Sequence, residues 1–128
     1  MPAPITALYA GILALVLTAL AINVTVHRWR VRVPIGQGTD PLMARVIRVH
    51  GNAVEYIPVA LLLMLLYEIN GGRALLLHTA GITLTVGRIL HAWGLTRMAR
   101  PNLSRAAGQT LTWLSIIALA VFNLLKAL

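Results

Sequence analysis

Cysteine is absent from this 128-residue chain. Disulfides, thiolate metal sites and a cysteine nucleophile are therefore excluded, and any thiol chemistry must use a thiol brought by a ligand. Acidic residues are nearly absent too: Asp40, Glu55 and Glu68 stand against eleven lysines and arginines, a net charge of +8. Charge of either sign is scarce, at 11% of residues, where an ordinary soluble domain has about a quarter. What the chain has instead is apolar sequence, 59% of residues, arranged in long runs. Those runs mark a single integral membrane domain. In such a protein a basic excess marks cytoplasmic loops and not a nucleic-acid site.

Four spans follow from the runs. Ile5–Val26 carries no charge over 22 residues, about 33 Å of helix and enough to cross a hydrocarbon core. A cleaved signal peptide is the rival reading, since Ala19-Leu20-Ala21 loosely resembles a cleavage site. No basic residue precedes the run and its apolar part is too long, which favours a retained helix. The stretch HRWRVRVPIGQGTDP then reads as a basic loop, with the glycines of GQG giving a flexible turn. A second helix begins with Asp40 as cap and Pro41 in its first turn, and runs to about Asn70 before Gly71-Gly72. The third span is Ala74–Leu95. After a second basic loop, Ser104 is placed to cap a fourth span from about Ala106 to Leu125. Arg28, Arg30, Arg32, Arg97, Arg100 and Arg105 then fall at one end, with Arg73 and Lys126 at the other. By the positive-inside rule the two basic loops are cytoplasmic and both termini lie outside.

The second span is polar where it enters the membrane. A helix long enough to cross must take in Arg48, Asn52 and Glu55. At about 100° per residue and with Arg48 as zero, Asn52 falls near +40°, Glu55 near −20°, Arg45 near +60° and Tyr56 near +80°. His50 points away, near 200°, with Val46, Ala53 and Ile57. Arg88 on the third span is expected at the depth of Glu55. Charges inside a membrane are costly and usually face a bundle interior or a cavity. The stripe suits a small zwitterionic ligand: arginine clamps carboxylates, Glu55 takes an ammonium, Asn52 bridges amides. A cationic site would also favour the thiolate of a bound thiol. The plainer alternative is a Glu55–Arg88 or Glu55–Arg48 pair that only fixes packing.

The pattern Arg48-x-x-x-Asn52-x-x-Glu55-Tyr56 before Pro58 and an apolar run, with GRILHAWG (Gly87–Gly94) on the third span, resembles the MAPEG family, membrane-associated proteins in eicosanoid and glutathione metabolism. The four spans extend the resemblance over the whole chain, closest to short bacterial members. It implies an all-α fold, a four-helix membrane bundle assembled as a homotrimer, with glutathione at the cytoplasmic-side subunit interface. Arg48, Asn52, Glu55 and Tyr56 resemble glutathione contacts, joined by Arg88 and His91. Arg28 or Arg30 resembles the thiol-activating or ligand-clamping arginine, and Arg105 another arginine near the thiol. Leukotriene-forming members carry tyrosines near the end of the third helix that help bind glutathione. Here that stretch offers His91, which can replace one hydrogen bond, and Leu95, which cannot.

The activity implied is that of a glutathione transferase or peroxidase acting on lipophilic electrophiles that arrive from the bilayer, with no metal, since His50 and His78 lack ligand spacing. One rival is a non-enzymatic scaffold binding lipid or a partner through the same cleft. Another is a small multidrug transporter, which would need an embedded carboxylate, usually in a first helix that here is uncharged. The remaining conspicuous residues read as structural. Gly81, Gly87 and Gly94 permit close helix approach. Trp29 with its neighbouring basic residues anchors the headgroup layer. His91 packs against Trp93, and Tyr9, Tyr67 and Trp113 serve packing or the interface.

Overall fold

A computed structural model describes residues 2–98 and 100–128. It contains helices α1 (Pro4–Val31), α2 (Pro41–Ile69), α3 (Ala74–Arg97) and α4 (Leu103–Ala127). All four are long and apolar enough to cross a membrane. α2 and α3 pack against each other and each touches both outer helices, whereas α1 and α4 share no contact among the described residues. Only 17% to 39% of the most apolar window of each helix is buried within the chain. The rest is left for lipid or for a neighbouring copy.

The ends of the helices explain where they stop. α1 continues five residues past the expected Val26, so Arg28 and Arg30 stand on its last turn and not in the loop. Cations at a helix C-terminus are favoured by the dipole, and nothing before Pro34 breaks the helix. Arg32 closes it in the left-handed region at φ 54°, its N–H donating to the Arg28 carbonyl. Gly36 and Gly38, at φ 72° and 59°, turn the following loop, as GQG predicted. α3 likewise runs two residues past Leu95, to Arg97.

Asp40 caps α2 as expected, its Oδ1 accepting from the Met43 N–H at 2.7 Å, and Pro41 follows it. At the far end Gly71 adopts φ 73°, and the Gly72 N–H returns to the Tyr67 carbonyl at 2.8 Å. α4 begins at Leu103, capped by Asn102 and not by Ser104. Asn102 wins because it does two things: Oδ1 accepts from the Arg105 N–H at 2.9 Å, while Nδ2 donates to the Gly94 carbonyl at 2.8 Å. One side chain thus closes the end of α3 and the start of α4.

Two devices at the other end had no sequence signal. The Glu68 carboxylate, at the end of α2, accepts from the N–H groups of Ile5 and Thr6 at 2.8 and 2.6 Å. It serves as the cap that α1 lacks in its own sequence and opposes the positive end of the helix dipole. Lys126 Nζ donates to the carbonyls of Asn70 and Gly71 at 2.9 and 3.1 Å, tying the end of α4 to the α2–α3 turn.

The core lies in two layers. Tyr9, Met64, Tyr67, Leu77, Ala80 and Leu119 pack nearer the termini, and Leu13, Ala53, Ile57, Ala60 and Leu84 near mid-depth. The expected role of the glycines holds. A Cβ at Gly81 would strike the Tyr9 ring, and one at Gly87 would lie 2.9 Å from the Gly108 carbonyl oxygen. One at Gly94 would lie 2.6 Å from the Arg105 nitrogen.

Asp40 carries a pH prediction. Its carboxyl is held below its ordinary value, first by the Met43 N–H, then by Leu42 and His27. A lowered folded-state value stabilises the fold above the ordinary carboxylate range, and this contribution is lost as pH falls through the lower value. Thermal unfolding in detergent is expected to drop on acidification, with a shallower drop in Asp40→Asn, which caps without titrating. Equal slopes would assign the acid sensitivity to other groups.

Candidate functional site

The buried face of α2 is made by Met43, Val46, Val49, Ala53, Ile57, Ala60 and Met64. The face expected from the helical wheel for Val46, Ala53 and Ile57 is therefore the core face. The polar stripe is turned away from it, and the structure divides it. Arg48 and Glu55 lie on the outside of the chain, their side chains 61% and 50% exposed, joined Nη1 to Oε1 at 3.0 Å. Asn52, on the flank, is buried. Tyr56 is half-buried, and Arg45 Nη1 donates to the Thr96 carbonyl at 3.3 Å.

Glu55 does not pair with Arg88. Arg88 is 2% exposed and meets three neutral oxygens. Its Nη1 donates to Asn52 Oδ1 at 2.6 Å, its Nε to Thr112 Oγ1 at 2.9 Å and its Nη2 to Gln109 Oε1 at 3.3 Å. Its guanidinium carbon stands 5.3 Å from the centre of the Tyr56 ring, within cation–π range. The expectation that Arg88 and the stripe share a depth holds, through Asn52 and Tyr56. No carboxylate among the described residues forms an ion pair with it. Because a guanidinium only donates, it fixes both amides: Asn52 and Gln109 must turn their oxygens to Arg88 and their NH2 groups elsewhere. The Gln109 Nε2 is buried without a hydrogen-bond partner among the described residues.

Beside this hub, between α2, α3 and α4 at the basic end, lies a cavity of about 460 Å³. Arg48, Asn52, His91, Leu95, Arg105 and Gln109 are among its walls, and no aspartate or glutamate lines it. His91 is buried, and its Nδ1 meets the Arg105 carbonyl oxygen at 3.2 Å. Trp93 forms no ring pair with His91 among the described residues; its ring lies under Arg97, 5.1 Å from the guanidinium carbon. Trp113 reaches the site through its Nε1–H, 3.4 Å from Tyr56 Oη.

The structure thus brings Arg48, Asn52, His91 and Arg105 into one cavity wall, with Arg88 behind it. It leaves Glu55 on the outer rim beside Arg48. Arg28 and Arg30 lie elsewhere in the single chain. The Arg28 Nη1 donates to the carbonyls of Val33 and Gly36 at 3.2 and 2.8 Å, and Arg30 is exposed. Gln109 and Thr112, which complete the hub, were missed. They sit on α4 among other small polar residues, Thr110 and Ser115, and nothing in their own spacing singles them out.

Guanidinium and amide donors in a wall without a carboxylate can pair with anionic groups and with amide oxygens. The MAPEG family model matches residues 6–125. Two relatives, each described as inner membrane protein YecN, come from Escherichia coli K12 and Escherichia coli O6:H1. Each is 39% identical over 120 residues, which is 94% of this chain and 90% of the relative. With four membrane-length helices, a family match over nearly its whole length and these relatives, this chain is an integral, multi-pass membrane protein that belongs to the MAPEG family.

Proposed function

We propose that the chain is a membrane-bound glutathione transferase or peroxidase, working as a homotrimer in a bacterial inner membrane with its basic end toward the cytoplasm. The observation that carries this reading is the cavity wall: the guanidiniums of Arg48 and Arg105, the Asn52 amide with its oxygen engaged by Arg88, and no carboxylate. Glutathione would supply the reactive thiol, and its two carboxylates and two amides suit such a donor set. Arg48 would clamp a carboxylate and Glu55 receive the ammonium. Asn52, held by Arg88, would present its NH2 to an amide oxygen, and Tyr56 would close the rim. Arg105 would stabilise negative charge on the sulfur. Holding the tripeptide in one pose lowers the entropic barrier to attack. A lipophilic electrophile or hydroperoxide would enter from the bilayer side.

The trimer has its own support. Arg48 and Glu55 are half-exposed on the outside of a membrane helix, and intramembrane charges cost several kcal/mol unless covered. A neighbouring copy would cover them. It would also bring its own α1 end, where Arg30 forms no hydrogen bond among the described residues, toward the cavity.

The test is the ultraviolet difference absorbance of thiolate when glutathione is added to detergent-purified protein. Wild type is expected to give the signal, and Arg48→Ala and Glu55→Gln to weaken binding tenfold or more, about 1.4 kcal/mol. The 3.0 Å Arg48–Glu55 pair, satisfied within one chain, favours a second reading, a lipid- or partner-binding scaffold. Under it glutathione gives no thiolate and no thermal stabilisation, and Arg48→Ala disturbs assembly alone.

A further inference from the structure

The cavity wall contains one basic lone pair, and its direction is fixed. The His91 Nδ1 stands 3.2 Å from the Arg105 carbonyl oxygen. A carbonyl oxygen only accepts, so Nδ1 carries the proton, and in the neutral ring Nε2 is left with its lone pair. Nε2 forms no hydrogen bond among the described residues, while the ring lines the cavity. The other polar side chains around it are of a different kind. Arg48 and Arg105 present guanidiniums, which only donate. The oxygens of Asn52 and Gln109 are engaged by Arg88, and Asn102 is spent on the Gly94 carbonyl and the Arg105 N–H. The Thr110 hydroxyl is no base.

Resting on the glutathione reading above, we infer that His91 is a catalytic residue in this chain: its Nε2 takes the thiol proton and later returns it. The thiol S–H bond breaks as the Nε2–H bond forms, leaving thiolate and imidazolium with Nδ1–H still on the Arg105 carbonyl. The thiolate forms the new bond to the electrophilic carbon, the departing group takes the electron pair, and Nε2–H protonates that group. His91 ends neutral and nothing is oxidised or reduced. The charges facing the ring make this a paired event. Arg88 lies one turn back on α3, Arg105 on α4, and Arg48 across the cavity on α2. The thiolate formed beside the imidazolium supplies its counter-charge. The carbonyl of Arg105, fixed in the first turn of α4, therefore sets which ring nitrogen meets the ligand.

A proton count tests this. Glutathione is added to the detergent-purified full chain in weak buffer with a pH indicator, while thiolate absorbance is followed. S-methylglutathione, which has no acidic thiol, reports binding alone. Wild type is expected to form thiolate while releasing far less than one proton per thiolate to the buffer. His91→Gln, which offers a donor but no base, is expected to bind S-methylglutathione and to release one full proton for every thiolate formed. Full release by wild type overturns the role of His91, and that measurement decides even if the variant fails to fold. If wild type binds S-methylglutathione yet releases a full proton, only His91 falls. If it binds neither thiol nor thioether, the glutathione reading falls and takes His91 with it.

Discussion

Arg88→Met is expected to leave the protein folded, with thermal stability close to wild type, while weakening glutathione binding by tenfold or more. Two physical terms separate in this variant. A buried guanidinium has lost its water, which costs several kcal/mol, and Arg88 recovers that only from three neutral oxygens and a phenol ring. Methionine is shorter but of similar volume and removes the desolvation cost, and such replacements of buried charge are often neutral or stabilising. Thr112 keeps its own bond to the Gly108 carbonyl at 2.9 Å. The Asn52 amide is then free to flip, so its NH2 group is no longer held toward the cavity. Arg88→Ala frees the same acceptors but also opens a cavity, and about 2–4 kcal/mol of stability should go with it. Arg88→Lys keeps the charge, but its single ammonium cannot span three partners as a planar fork does, so binding should recover only in part. Unfolding in detergent and calorimetric titration with glutathione read the two terms apart. Unchanged binding in Arg88→Met would mean that the Asn52 amide is oriented by something else.

The same hub marks how far the sequence could be read. The spacing of Arg48, Asn52 and Glu55 put them on one stripe because helical geometry is local, and the core face of α2 came out where Val46, Ala53 and Ile57 predicted. Depth was also legible, since two antiparallel helices with known ends set Arg88 level with the stripe. Partner choice was not. Whether Arg88 meets Glu55 or Asn52 depends on how α2, α3 and α4 pack together, and on Thr112 and Gln109, which carry no signal of their own. Helix ends failed for a related reason. Arg28 to Val31 break no rule of helix formation, and Asn102 and Ser104 are comparable caps until Gly94 offers its carbonyl to one of them. The family was legible in the motif.

A loss of stability is also expected at Gly108, where a single methyl decides between two opposing effects. In a helix interior, glycine to alanine ordinarily gains about 1 kcal/mol. Gly11→Ala should show that gain or less, because a Cβ there meets nothing within 4 Å. At Gly108 the new Cβ would stand 2.5 Å from the Gly87 carbonyl oxygen and strike the backbone nitrogen of His91. Both are backbone atoms of α3, so neither can swing aside as a side-chain end would. Overpacking of this kind costs about 1–3 kcal/mol for one methyl, and small residues are what let helices approach closely in lipid. The clash wins, and Gly108→Ala should unfold at lower temperature than wild type while Gly11→Ala does not. Gly108→Leu should fail to fold. The damage should also reach the site, because the bonds from Arg88 to Thr112 and from His91 to Arg105 cross this same seam. A helix pair forced apart at Gly108 lengthens both, so Gly108→Ala should lose glutathione binding at temperatures where it is still folded. A variant that is less stable but binds normally would show that the seam sets stability alone and that the cavity wall is held from α2.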